Sequence, residues 1–388
     1  MSWRRRSLHR VVVVAMMATV WMASGIGVYL YLSSHRTALV IKAKEPSQTD
    51  MRNTPLGRLP GTLYLVQAGT LYRLQRGIFT AVLNAPGGAA RWTQPALTPN
   101  ARSLVVVRRD YAYSDLYMVD LTGNVQSQLT HNASGTVELN HWAFYPRPSP
   151  DGASLFFSYD PKDRFNNYNV VLAVYSMPMA GGFSQARKWT SPERLTGGDI
   201  QPVPLQSGAV LYTKYSFDNK LSKILGQIYL TDAAGSTGEP LTPAKDDCSQ
   251  PAPSPDGQRL AMICSEGTQF ANIEIASFDG GKLGPRQKLV AEQLAAQPTW
   301  APDGKSLVYF APAGISGHFQ LWQVQVPAPP TSSDAPAPLP TRPASAATGD
   351  AAGRLTQTPT PTPVPLPQAV RLTSDLDFDA TSTIAWHA

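Results

Sequence analysis

The 388-residue sequence predicts an all-β fold built from repeated four-stranded units and preceded by one transmembrane helix. Three observations predict it. A tight turn of the Pro-Asp-Gly kind, flanked by apolar strand segments, recurs along the chain. Proline (35 residues) and glycine (29) are plentiful, which favours turn-rich β structure over long helices. A long uncharged run follows a cluster of arginines at the N-terminus.

That run comes first in the chain. Arg4, Arg5, Arg6 and Arg10 precede Val11–Ser34, 24 residues without a charge. At about 1.5 Å per residue, the apolar part from Val11 to Leu32 spans roughly 33 Å, enough to cross a bilayer core. It is long for a cleaved secretory peptide, and Ala23-Ser24-Gly25, the one stretch suited to cleavage, falls in its middle. The expectation is an uncleaved signal anchor with residues 1–10 as a basic cytoplasmic tail. Residues 33–60 are polar, contain Pro46, Pro55 and Pro60, and read as a tether. Residues from about 35 onward are then extracytoplasmic, in a periplasm or at a cell surface.

The body repeats itself from residue 61. The clearest copies are QPAPSPDGQRLAMI at 250–263 and QPTWAPDGKSLVYF at 297–310. YPRPSPDGASLFF at 145–157 is a third, QPALTPNARSLVVV at 94–107 is weaker, and QPVPLQSGAVLY at 201–212 is the most eroded. Pro150, Pro255 and Pro302 preset φ for the turn, and the Asp-Gly that follows supplies a capping carboxylate and a residue tolerant of positive φ. A third strand follows in each unit, such as Asp115–Val119 or Gln320–Val324. A fourth closes the unit, ending Leu129-Thr130, Leu195-Thr196, Leu241-Thr242, Leu289-Val290 or Leu372-Thr373. Four antiparallel strands per unit make one propeller blade.

The second residue of each repeat falls at 95, 146, 202, 251 and 298, about 50 residues apart. Thr383-Ile384-Ala385-Trp386 looks like a first strand with nothing after it, while Leu63–Val66, Thr70–Leu74 and Phe79–Leu83 lack a first strand. The C-terminal strand is therefore expected to complete the N-terminal blade, which removes a free sheet edge. The prediction is a six-bladed β-propeller over 61–388.

The pattern resembles the TolB-type propeller family, whose repeat is WD-like with a Ser-Pro-Asp-Gly turn and a Leu-Thr close. The resemblance covers about 61–388 apart from an insertion. It implies the fold and a cell-envelope setting. The amino-terminal α/β domain of TolB itself has no counterpart, and an anchor and tether take its place.

The insertion is residues 327–369, rich in proline, threonine and alanine, which favours extended chain. It separates the third and fourth strands of one blade, so it leaves from the face opposite the loops considered below. Cys248 and Cys264 sit at facing positions of one predicted hairpin, and in an oxidising exterior a disulfide is expected.

Composition and motifs exclude several functions. Outside residues 1–32, 29 basic residues balance 27 acidic ones, so no broad polyanion-binding field and no nucleic-acid partner is expected. No Gly-x-Ser-x-Gly elbow, P-loop, dinucleotide fingerprint or His-Glu-x-x-His motif occurs, so neither a catalytic centre nor a cofactor is expected. His131 and His141 lack an acidic partner for a metal site, and Asp375, Asp377 and Asp379 lack the glycine and glutamate of a calcium loop.

What remains is a surface. Loops between second and third strands interleave aromatic and charged residues: Arg108, Arg109, Tyr111 and Tyr113; Tyr159, Arg164, Phe165 and Tyr168; Tyr215 and Phe217. Such residues on loops held by a rigid scaffold suit recognition of a protein or peptide. Two other readings stand beside this one. A glycan-binding, small-molecule-binding or hydrolytic envelope propeller would use carboxylates such as Asp160, Asp163 and Asp218. A structural envelope component would act through the proline arm.

Overall fold

The computed structural model describes residues 54–162, 169–313, 317–327 and 365–388. The basic tail, the apolar run, most of the tether and most of the insertion lie outside them. Among the described residues no helix is long and apolar enough to cross a membrane.

The strands run in chain order. They are β1 (Thr62–Gln67), β2 (Thr70–Gln75) and β3 (Ile78–Leu83); β4 (Arg91–Leu97), β5 (Ser103–Arg109), β6 (Ser114–Asp120) and β7 (Val125–Gln128); β8 (Ala143–Pro148), β9 (Ser154–Tyr159), β10 (Ala173–Pro178) and β11 (Arg187–Lys188). The second half holds β12 (Asp199–Pro204), β13 (Val210–Asp218), β14 (Lys223–Thr231) and β15 (Glu239–Pro240); β16 (Cys248–Pro253), β17 (Arg259–Cys264), β18 (Asn272–Ser277) and β19 (Gln287–Val290); β20 (Ala296–Trp300), β21 (Ser306–Pro312), β22 (Phe319–Gln325) and β23 (Ala369–Arg371); and finally β24 (Ala385–His387). They form six four-stranded antiparallel sheets. Blades 2 to 6 each use four consecutive strands. Blade 1 has the order β24-β1-β2-β3, with Leu63 opposite Trp386, so the chain end closes the ring. The insertion leaves after β22 and returns into β23.

Apolar side chains fill the space between successive sheets. Val105, Leu116, Leu155 and Phe157 join blades 2 and 3, and Leu65, Phe310, Leu321 and Phe378 join blades 6 and 1. The last residues of the expected tether belong to this core: Leu56 and Leu59 are buried against blade 1. Trp386 Nε1 donates to the Pro60 carbonyl at 2.7 Å.

The turns follow the chemistry of their residues. Ser149 Oγ donates to Asp151 Oδ1 at 2.5 Å, and the same carboxylate accepts the Ala153 N–H at 3.0 Å. Gly152 then takes a φ of 73°. Ser254, Asp256 and Gly257 repeat the arrangement in blade 5. In blade 2 Asn100 replaces the aspartate, and Ala101 must adopt a φ of 51° where glycine would be unstrained.

The Leu-Thr close has a physical basis in the ladder. Leu129 N–H donates to the Leu116 carbonyl, and Thr130 Oγ1 accepts the Leu116 N–H at 2.9 Å. Leu241-Thr242 and Leu372-Thr373 do the same for Ile228 and Leu321. The hydroxyl thus satisfies a buried donor where the outer strand departs. Blade 3 corrects the sequence expectation, because its close is Trp189-Thr190 rather than Leu195-Thr196. Trp189 N–H donates to the Val174 carbonyl, and Thr190 Oγ1 accepts the Val174 N–H at 3.0 Å. Leu195 instead is exposed at a φ of 63° in the connection to blade 4. In blades 2, 3, 4 and 6 a threonine hydroxyl at the right register closes the ladder after a bulky apolar residue, whereas blade 5 closes on Leu289-Val290, with Val290 paired to Ile273.

Each innermost strand of blades 2 to 6 carries a bulge at the residue before its proline. Gln94, Tyr145, Gln201, Gln250 and Gln297 all have positive φ, between 51° and 57°. A non-glycine residue there costs about 1–2 kcal/mol. At every bulge the freed N–H donates to the preceding blade: to Ser382 Oγ, Gln94 Oε1, Ser158 Oγ, Thr213 Oγ1 and Gln250 Oε1 in turn. These bonds tie the blades together around the central channel.

Candidate functional site

The connections from second to third strands, and those entering the next blade, share one end of the channel. There β5, β8 and β13 bring together Arg109, Phe144, Tyr145 and Tyr215, with Leu172 and Ile224 beside them, around a cavity of about 420 Å³. The Arg109 guanidinium lies 5.8 Å from the Trp142 ring centre and 5.9 Å from that of Phe144. Those two rings stack at 5.6 Å. Burial draws the Arg109 pKa below its ordinary value, and Arg91 adds to the effect. Burial likewise raises the Tyr145 and Tyr215 phenols, so both stay neutral donors. The mouth therefore offers a cation, phenolic hydroxyls and apolar ring faces on rigid strands, which is the make-up of a recognition pocket.

Of the ten recognition residues expected from sequence, Arg109 and Tyr215 meet in this pocket. Arg108 stands nearby on β5, 3.8 Å from Asp110. Tyr113 is half-buried, and Tyr111 is 84% exposed in the same loop. Phe217 is 46% exposed, and its N–H donates to Glu193 at 3.3 Å. Arg164, Phe165 and Tyr168 lie outside the described residues, as does Asp163. Tyr159 is not part of the surface. It is 5% exposed and packs between blades 2 and 3, its ring 4.5 Å from Phe183 and stacked on His141. Tyr159 is the last residue of β9 and faces the same side as Leu155 and Phe157, against which blade 2 packs.

Of the described carboxylates of the hydrolytic alternative, neither Asp160 nor Asp218 lines the mouth. Asp160 is buried and paired with Lys162 at 3.0 Å. Asp218 caps its own turn through the Lys220 and Leu221 N–H groups. Asp379 caps the bend before β24, accepting from Thr381 and, at 3.2 Å, from Thr93. His141 binds the Asp160 carbonyl through Nδ1 at 2.8 Å. Among the described residues no group of three or more His, Cys, Asp or Glu is placed to hold a metal. Cys248 and Cys264 are directly opposed on β16 and β17 and form a disulfide.

Among the residues that escaped sequence reasoning are Phe144 and Tyr145, which line the mouth, and Arg147, which lines the narrower space in the channel. They sit on the first strand of blade 3, not on a loop. The signal for Tyr145 and Arg147 was the repeat itself, since YPRP stands where the other units have QPAL, QPVP, QPAP and QPTW.

Among solved structures, TolB from Acinetobacter baumannii matches with a TM-score of 0.52 at 20% identity, over 69% of this chain and 61% of that one. The fold is that of a TolB-type six-bladed β-propeller. A putative TolB from Agrobacterium tumefaciens matches at 16% identity and a TM-score of 0.46, over 69% of this chain and 85% of that one. A puromycin hydrolase matches at 16% identity and a TM-score of 0.44, over 62% and 38%. At these identities the likeness to TolB concerns fold alone, and this chain covers less than two thirds of the Acinetobacter protein. No protein-family model matches the sequence, and no curated protein matches it.

Proposed function

We propose that this TolB-like propeller is a non-enzymatic binding module that holds a protein or peptide at the mouth of its channel, outside the membrane. The observation that carries the reading is the cluster of Arg109, Phe144, Tyr145 and Tyr215 around one cavity. Its lining contains no carboxylate pair among the described residues, which favours recognition over acid–base hydrolysis. Arg4, Arg5, Arg6 and Arg10 followed by the uncharged run from Val11 support an N-terminal anchor, with the basic tail in the cytoplasm. The proposed partner is an envelope protein or peptide. The proline-rich insertion starts after β22, at the other end of the blades.

Affinity capture with the full-length chain from a cell-envelope extract tests the reading. A protein retained by the wild type and by Phe217→Ala, and lost with Arg109→Ala and Tyr215→Ala, supports it. Equal retention by all four proteins moves the site elsewhere, and retention of nothing argues against a protein partner.

A further inference from the structure

Blade 3 departs from the repeat at two neighbouring channel positions. Before the proline, blades 2, 4, 5 and 6 carry Gln94, Gln201, Gln250 and Gln297, where blade 3 carries Tyr145. Two residues later they carry Ala96, Val203, Ala252 and Thr299, where blade 3 carries Arg147. Small or apolar side chains at this level in four other blades leave the lumen to one guanidinium.

Arg147 lines the channel below the mouth with Tyr145, Gln201, Gln250 and Gln297. Two other half-buried arginines of the propeller have partners: Arg286 pairs with Asp246 and Glu274, and Arg259 lies over Trp300 and donates to the Gly304 carbonyl. Arg147 has no hydrogen-bond or ion-pair partner among the described residues. It keeps some exposure to the lumen, yet protein surrounds it closely enough to pull its pKa below the ordinary arginine value, with no acid opposing the shift. A guanidinium stays protonated even so. An uncompensated cation in such a place is costly unless a ligand supplies the counter-charge. Gln201 and Gln250 spend their Oε1 atoms on Thr213 and on the Gln297 N–H. Their Nε2 groups are left without a partner among the described residues, so the same lumen holds further donors.

Size narrows the ligand. The space at this level is about 30 Å³, room for a carboxylate or a water or two and too small for a sugar ring. Tyr145 lines both this space and the 420 Å³ mouth. The geometry points to Arg147 as a carboxylate receptor: the C-terminal carboxylate or an acidic side chain of a peptide enters the narrow lumen, and the adjoining residues fill the mouth. A planar guanidinium matches a carboxylate with two parallel hydrogen bonds. The inference deepens the binding-module reading and rests on it for the peptide, though not for the anion.

Two measurements on the full-length chain separate the two. The first is the thermal unfolding midpoint in sodium acetate, sodium chloride and acetamide at matched ionic strength. Acetate should raise the midpoint of the wild type above both others, and Arg147→Gln should remove the difference. Because Arg147 has no partner to lose, that variant should fold. An equal rise with chloride, or with Arg147→Gln, overturns carboxylate recognition at this residue. The second is calorimetry with Tyr-Ala-Ala as free acid, as C-terminal amide, and as an amide with glutamate for the second alanine. The wild type should bind an acidic form about tenfold or more tightly than the neutral amide, and Arg147→Gln should bind all three alike. Preference for the free acid identifies the chain terminus, and preference for the glutamate amide identifies a side chain. Binding without preference leaves the mouth intact and overturns the inference. An acetate effect without any peptide binding keeps the anion site and removes the peptide reading.

Discussion

The Tyr145 backbone N–H donates to Gln94 Oε1 at 2.7 Å across the boundary between blades 2 and 3. Both residues hold positive φ, and each belongs to the bulge that precedes a proline. The bond satisfies a donor that the bulge removes from its own sheet. Gln94→Leu should therefore cost about 1–3 kcal/mol, the price of leaving that group unpaired. Urea unfolding checks it, and a loss below a few tenths of a kcal/mol would mean the ring of glutamines is incidental to stability.

The Leu-Thr close makes a similar prediction at the outer strand. Thr373 Oγ1 accepts the Leu321 N–H at 2.9 Å and donates to Gln320 Oε1 at 3.0 Å, all buried. Thr373→Val keeps the shape and removes both bonds. Stability should fall by about 1–3 kcal/mol, while Thr373→Ser should retain most of it. Equal losses would point to the methyl group instead.

Tyr159 separates packing from recognition. Its ring is enclosed by Tyr175, Phe183 and His141. Tyr159→Ala should destabilise by about 3–5 kcal/mol, and Tyr159→Phe should match the wild type in both unfolding and partner capture. Loss of capture with Tyr159→Phe would return the phenol to the binding surface.

The disulfide closes a loop between residues 16 apart. Replacing both Cys248 and Cys264 by alanine should lower stability by about 2–3 kcal/mol. The comparison belongs in denaturant with and without reductant. The double variant should show no response to reductant, and the wild type should fall to near its level.

Acid should expose the turns. Asp151 and Asp256 are held below the ordinary carboxylate value of 3.8, first by Ser149 and Ser254 and then by backbone N–H groups. A depressed folded pKa means the unfolded chain binds more protons, so this contribution is present above about 3.8 and is lost as pH falls towards the folded values. Asn100 already fills the place in blade 2. A double Asp151→Asn, Asp256→Asn protein should therefore keep its turns and lose stability less steeply than the wild type below pH 4. Parallel curves from acid titration of the unfolding midpoint would contradict the assignment.

The repeat made the fold legible because each of its marks answers a local need. Proline and Asp-Gly preset a turn, alternation marks a sheet face, and a threonine hydroxyl ends a ladder. The same logic misled where two residues shared the mark: Leu195-Thr196 looked like a close, but only the register against Val174 decides, and Trp189-Thr190 holds that register. The recognition residues were legible in part. Arg109 and Tyr215 follow from the interleaved aromatic and charged residues, although the structure places Arg109 at the end of β5 and Tyr215 within β13. Tyr145 and Arg147 lie inside a repeat, where conformity hides substitutions unless the copies are compared position by position.

Order along the chain, the four-strand unit, the count of six and the closing role of Trp386 are all determined by the sequence alone, because local turn chemistry and strand periodicity repeat with it. Tertiary structure alone decided which side chains meet. Arg109 on β5, Phe144 and Tyr145 on β8 and Tyr215 on β13 come from three blades more than 100 residues apart at the extremes, and share one cavity only because the ring brings the blades together. It also decided that Tyr159 is core and Arg147 lines the channel, since burial depends on what the neighbouring blade presents and no local pattern records it.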